Sequence, residues 1–99
     1  MSKSFDKSRM YQGWSTVQTW CIALTFDNSH PMLTQALEIV SCTDFPKENE
    51  VRLRGMASHR IHDIKATAPW AWDEGQSFDE DVNWNELREH YERKRKEGL

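Results

Sequence analysis

The chain has 99 residues, enough for one domain with a single modest core. Apolar residues make up 37% and charged residues 29%, but five Trp, four Phe and two Tyr supply large buried areas, so a folded domain is expected rather than a disordered chain. The net charge of −3 is unevenly laid out, and it argues against a dedicated nucleic-acid binder.

Residues 1–11 read as a polar, flexible leader carrying Lys3, Lys7 and Arg9 against Asp6, with residues 12–99 forming one helical domain. The leader has no apolar core of the kind a secretory signal needs, and no stretch approaches a membrane span, so a reducing cytosol and no membrane contact are expected. Cys21 and Cys42 are isolated and read as buried free thiols in a reducing compartment.

From Ser15 to Asn28 two periodicities coexist. Val17, Trp20, Cys21 and Leu24 fall on one helical face, and Ser15-x-x-Gln18 fits a capping box. Trp20, Ile22, Leu24 and Phe26 also alternate as a strand would. A helix is favoured, buried nearly all round. The alternative is an α+β fold with residues 16–27 as a strand. Asn28-Ser29-His30-Pro31 breaks the chain and starts a second helix, with Leu33, Ala36, Leu37 and Val40 as its stripe.

Residues 42–46 read as a loop. A third helix over residues 47–66 presents Leu53, Met56, Ala57, Ile61 and Ile64, and Gly55 inside it suggests a close packing contact. Residues 67–81 contain Pro69, Gly75 and Ser77 and lack periodicity, so they read as a long loop. The last helix opens at Asn83-x-x-Glu86, with Val82 and Leu87 as a hydrophobic staple. Trp84, Leu87 and Tyr91 line its apolar face, four bases occupy its end, and Gly98 can stop it. The fold class is therefore mainly α: a compact bundle of about four helices with a long acidic, Trp-rich loop before the last one.

Complete catalytic constellations are missing. His59, His62 and Asp63 share a face if one helix runs through them, but no further ligand completes a zinc set. No activated nucleophile motif appears, and the four glycines are scattered singly, so no phosphate-cradling loop exists. No enzyme activity, metal, cofactor or small-molecule substrate is expected.

The distinctive feature is residues 69–81. Trp70, Trp72 and Phe78 stand among Asp73, Glu74, Asp79, Glu80 and Asp81, with no base in the segment. Aromatic anchors beside dense acid suit a protein partner with a basic surface. The competing reading folds the three aromatics back as lids on the core and leaves the acids as a solvated rim. Arg93, Lys94, Arg95 and Lys96 offer an alternative nucleic-acid contact, against a plain helix end stabilised by its dipole.

Gly13-Trp14, then Thr19-Trp20 with an apolar run to Asp27-Asn28, resembles the opening of small accessory proteins encoded by bacteriophages and mobile elements. Val82-Asn83-Trp84 before an amphipathic helix is similar to them too, and the likeness covers about half the chain. The resemblance implies a phage protein at work in a bacterial cell. It implies a partner that is a host defence protein, such as a CRISPR effector or another nucleic-acid-binding defence complex, inhibited in the anti-CRISPR manner. A phage structural or assembly component is the further alternative. The resemblance carries no catalytic residue with it.

Overall fold

A computed structural model describes residues 11–97. Most of the expected leader, and Gly98, therefore lie outside the described residues. The elements are α1 (Val17–Asp27), α2 (His30–Val40), α3 (Pro46–Ser58), α4 (Ile61–Thr67), a short 3-10 helix (Pro69–Ala71) and α5 (Trp84–Lys96). The chain is mainly helical, and residues 17–27 are a helix, not a strand.

Tyr11, at the end of the expected leader, belongs to the fold. Its N–H and carbonyl pair with those of Trp14 at 2.7 and 2.8 Å. The turn between them has Gln12 at φ +53° and Gly13 at φ +87°. Two positive φ values in succession fit a type I′ turn, which favours glycine in its second central position.

Helix α1 is the centre of the bundle and packs on α2, α4 and α5. Val17, Cys21, Ile22, Ala23 and Phe26 are buried, and so are Gln18, Thr19 and Thr25. Most of their polar groups are bonded, although the Gln18 side-chain oxygen is buried without a hydrogen-bond partner among the described residues. The Thr25 hydroxyl donates to the Cys21 carbonyl at 2.8 Å, and Gln18 Nε2 donates to the Ala71 carbonyl at 2.8 Å. Trp20 and Leu24, expected on the inner stripe, are only half-buried.

The cap also differs by one residue. Thr16, not Ser15, accepts the Thr19 N–H at 3.1 Å. Ser15 is drawn away by Glu86: its N–H and hydroxyl donate to that carboxylate at 3.0 and 2.8 Å. Glu86 thus ties α5 to the start of α1 instead of closing a capping box on Asn83. Asn83 does cap α5, accepting the Glu86 N–H at 3.0 Å, while its own N–H donates to Thr19 Oγ1 at 2.9 Å.

The expected third helix is two helices. His59 N–H is shared between the Gly55 and Met56 carbonyls, and Arg60 N–H bonds to Ala57. This tightened end redirects the chain, because α3 packs on α2 and α5 whereas α4 packs on α1. One straight helix could not serve both faces. Gly55 is exposed, and a Cβ there would meet nothing within 4 Å, so it marks no close contact.

Helices α3 and α5 are joined by charge. Arg88 is 9% exposed. Its Nε donates to Glu50 at 2.9 Å, and its other nitrogens reach Glu92 at 2.9 Å and the Asn85 oxygen at 2.5 Å. At the other end of α1, Asp27 accepts from the Tyr91 hydroxyl at 3.0 Å and faces His90 Nε2 at 3.2 Å. Burial and the Asp27 carboxylate push the Tyr91 phenol far up, so it stays protonated.

The two cysteines differ. Cys21 is buried and donates to the Ile64 carbonyl at 3.2 Å, but Cys42 is exposed, against expectation. It follows Ser41, the last cap of α2, in a segment the core does not reach. Burial pushes the Cys21 thiol from 9.0 up to about 11. The unfolded thiol then ionises first, so Cys21 contributes stability that is present below pH 9 and lost as pH rises towards 11. The urea midpoint should fall over that interval, and Cys21→Ala should flatten its lower part. A thiol reagent should titrate Cys42 alone in the native protein and both cysteines in urea.

Candidate functional site

The segment between α4 and α5 has an inner and an outer side. On the inner side Trp72 is 6% exposed, in the core. Its ring stacks on Phe78 with centroids 5.3 Å apart and 16° between planes, and its indole N–H donates to the Phe78 carbonyl at 2.7 Å. Lys65 Nζ stands 5.8 Å from the Trp72 ring centroid. Trp72 and Phe78 therefore follow the lid reading. Trp72 is not available as an exposed anchor, because the 3-10 helix at Pro69–Ala71 directs it inward while leaving Trp70 outside.

The acidic stretch is an ordered turn. Gln76 N–H donates to the Asp73 carbonyl at 3.0 Å, with Gly75 at φ +82° taking the left-handed position. The Gln76 side chain accepts the Asp73 N–H at 2.9 Å and donates to the Asp81 carboxylate at 2.7 Å. A relay holds the far end of the segment. Asn83 N–H donates to Thr19 Oγ1, the Thr19 and Thr16 hydroxyls lie 2.6 Å apart, and Thr16 Oγ1 donates to the Asp81 carbonyl at 2.7 Å.

The carboxylates divide in consequence. Asp73, Glu74, Glu80 and Asp81 are exposed. Asp79 is not part of that set, since it pairs with Arg54 of α3. This ion pair removes one charge from the outer surface and anchors the segment to a helix distant in sequence.

Trp70 is 50% exposed and stands on two other rings. Tyr11 meets Trp20 edge-on at 4.7 Å and Trp70 at 6.0 Å, and Trp20 lies 6.0 Å from Trp70 at 32°. Sequence reading missed Tyr11 and Trp20 as members of this cluster. The Tyr-x-Gly-Trp pattern, a turn signal between two aromatics, was the one available hint. Trp20 looked like core because it fits the apolar period of α1.

The basic end of α5 is spread out. Arg93, Arg95 and Lys96 are exposed and Lys94 is half-buried. Four successive helical residues turn through nearly a full circle, so they do not form one face. Arg95 and Lys96 border a cleft that also contains Asp44 and Glu92. A single cationic strip for phosphates is not brought together here.

The metal candidates are also separated. His59 closes α3, whereas His62 and Asp63 lie in α4 beyond the break. His59 instead borders a groove of about 420 Å³ between α2 and α3, with Glu38, Ile39, Cys42, Arg52 and Met56. Among the described residues no group of three His, Cys, Asp or Glu is placed to hold a metal ion. No helix among them is long and apolar enough to cross a membrane.

Comparison with protein-family models, with curated proteins and with solved structures gives no match to this chain.

Proposed function

We propose that the protein is a binding module whose outer face, Trp70 with the exposed carboxylates of residues 73–81, docks on a basic surface of a partner protein. The observation that carries this reading is the half-exposed Trp70, propped on Tyr11 and Trp20 and followed in the chain by the exposed carboxylates Asp73, Glu74, Glu80 and Asp81. A large ring in water is an energetic cost in a free monomer and a source of affinity when covered. These carboxylates steer a cationic partner and repel nucleic acid. The pinned turn supports the same reading, because an ordered surface loses little entropy on docking.

The phage resemblance gives this module its setting. The proposed partner is a host defence protein that itself holds nucleic acid on a basic surface, such as a CRISPR effector. The chain would block that surface by occupying it with acid and tryptophan. The proposed mode of action is inhibition by contact, without catalysis, in bacterial cytoplasm.

The test uses the tagged full chain to isolate a bacterial partner, followed by affinity measurement with the purified pair. Glu74→Lys with Glu80→Lys should weaken binding at least about tenfold, and the loss should shrink as salt rises. Trp70→Ala should weaken it about as much with no salt dependence. Unchanged affinity in both variants, or a partner that proves to be nucleic acid bound through Arg93 to Lys96, would overturn the reading.

A further inference from the structure

We propose that the outer face of α3, centred on Gly55, docks a second copy of this chain as an antiparallel helix pair about a two-fold axis. Gly55 is the first observation. Glycine is the weakest ordinary residue for an exposed helix interior, because its backbone has the most freedom to lose. Nothing inside the chain requires it. Gly55 lies within α3, a Cβ there would meet nothing within 4 Å, and the residue borders the groove between α2 and α3. A missing side chain at such a place lets another helix pack closer, since the spacing between helices follows the side chains at their contact.

The second observation is Val51, one turn before Gly55 and 66% exposed. On a helix Glu48, Val51, Gly55 and His59 fall within about 80° of one another, and all four are exposed. The groove of about 420 Å³ runs beside this stripe and adds Ile39 and Met56 as apolar lining. A glycine notch, an uncovered valine and an adjoining apolar groove make a contact surface that the chain leaves unused.

Charge selects the occupant. A two-fold contact uses one patch twice, so the patch must complement itself. This face carries both signs: Glu38 and Glu48 against Arg52 and His59. The Glu48–Arg52 pair, 2.7 Å apart, is exposed at both ends and free to share its charges with a neighbour. Glu48 precedes Gly55 by seven residues and His59 follows it by four. A two-fold axis at Gly55 therefore carries each Glu48 towards His59 of the other copy, and sets each Val51 opposite that same histidine. The acidic segment of residues 73–81, by contrast, would repel its own copy.

Sedimentation velocity of the full chain in reducing buffer, from about 1 µM to about 1 mM, tests the proposal. A contact through one 13-residue helix belongs among the small interfaces, so a dissociation constant on the order of 10–100 µM is expected. Gly55→Gln should weaken association at least about tenfold while raising the urea midpoint of the monomer, because glutamine is the better helix former. Val51→Lys should weaken it comparably with the midpoint unchanged. The axis is read by cross-linking on a Cys42→Ser background. Gly55→Cys should form a disulfide-linked dimer, whereas Val51→Cys should not, since two copies of residue 51 lie about 12 Å apart along the helices. A chain that stays monomeric to about 1 mM would overturn the proposal, including one that holds a different protein in this groove. So would a dimer that both α3 variants leave intact, a dimer that exists only without reductant through Cys42, or cross-linking at residue 51 in place of residue 55.

Discussion

Trp72→Ala should lower stability by about 3–5 kcal/mol, the range for truncating a fully packed aromatic ring. The ring is 6% exposed, stacks on Phe78 and holds the Phe78 carbonyl through its indole N–H. Its removal opens a cavity under the acidic turn and leaves that carbonyl without its donor. A domain of this size is held by about 5–15 kcal/mol in all, so the variant should lose a large share of that stability. Urea unfolding followed by far-ultraviolet circular dichroism measures the loss. Trp72→Phe should recover part of it, since a ring can still stack on Phe78. A loss below about 1 kcal/mol for Trp72→Ala would mean that Trp72 is not the lid on this side of the core.

Arg88→Ala should cost about 3 kcal/mol. Arg88 is 9% exposed and its partner Glu50 has 13% of its side chain exposed, so water replaces the lost donors poorly. Removing Arg88 leaves Glu50 with the exposed Lys47, 3.7 Å away, and this poorly compensated charge accounts for most of the penalty. The double variant Arg88→Met with Glu50→Leu should therefore be more stable than Arg88→Ala, although it removes more polar contacts. Thermal unfolding separates the cases, at about 4–8 °C per kcal/mol for a chain of this length. If the double variant were the less stable one, the pair would be stabilising in its own right and the desolvation argument would be wrong.

These sites also show what the sequence could and could not reveal. The start of α5 was legible because its signals are local: Asn83 caps it, and Val82 and Leu87 both pack on the core. Glu86 was misassigned because its best donor, Ser15, lies 71 residues away. The cap of α1 moved to Thr16 for the same reason. The break at His59-Arg60 carries neither Pro nor a strong turn signal. It is imposed by the demand that α3 face α5 while α4 faces α1. Such demands are tertiary, and periodicity within one segment does not record them.

The candidate site divides in the same way. The exposed carboxylates stood out as a run without bases, and they are exposed. Composition could not separate Trp70 from Trp72, two residues apart in the chain, because a single 3-10 turn sends one outward and the other inward. Nor could it see that Arg54 withdraws Asp79, or that Tyr11 and Trp20 support Trp70. Each of these contacts joins segments far apart in sequence.

The two tryptophans differ in kind: Trp72 is packed in the core, whereas Trp70 is half-exposed and is the proposed anchor for a partner. The most direct measurement is the affinity of Trp70→Ala for the isolated partner, taken beside its urea midpoint. The expected result is a loss of binding of about tenfold or more with stability lowered by less than about 1 kcal/mol. Full binding by a variant destabilised as much as Trp72→Ala would contradict the account, because it would make Trp70 a second lid and leave the acidic face without its anchor.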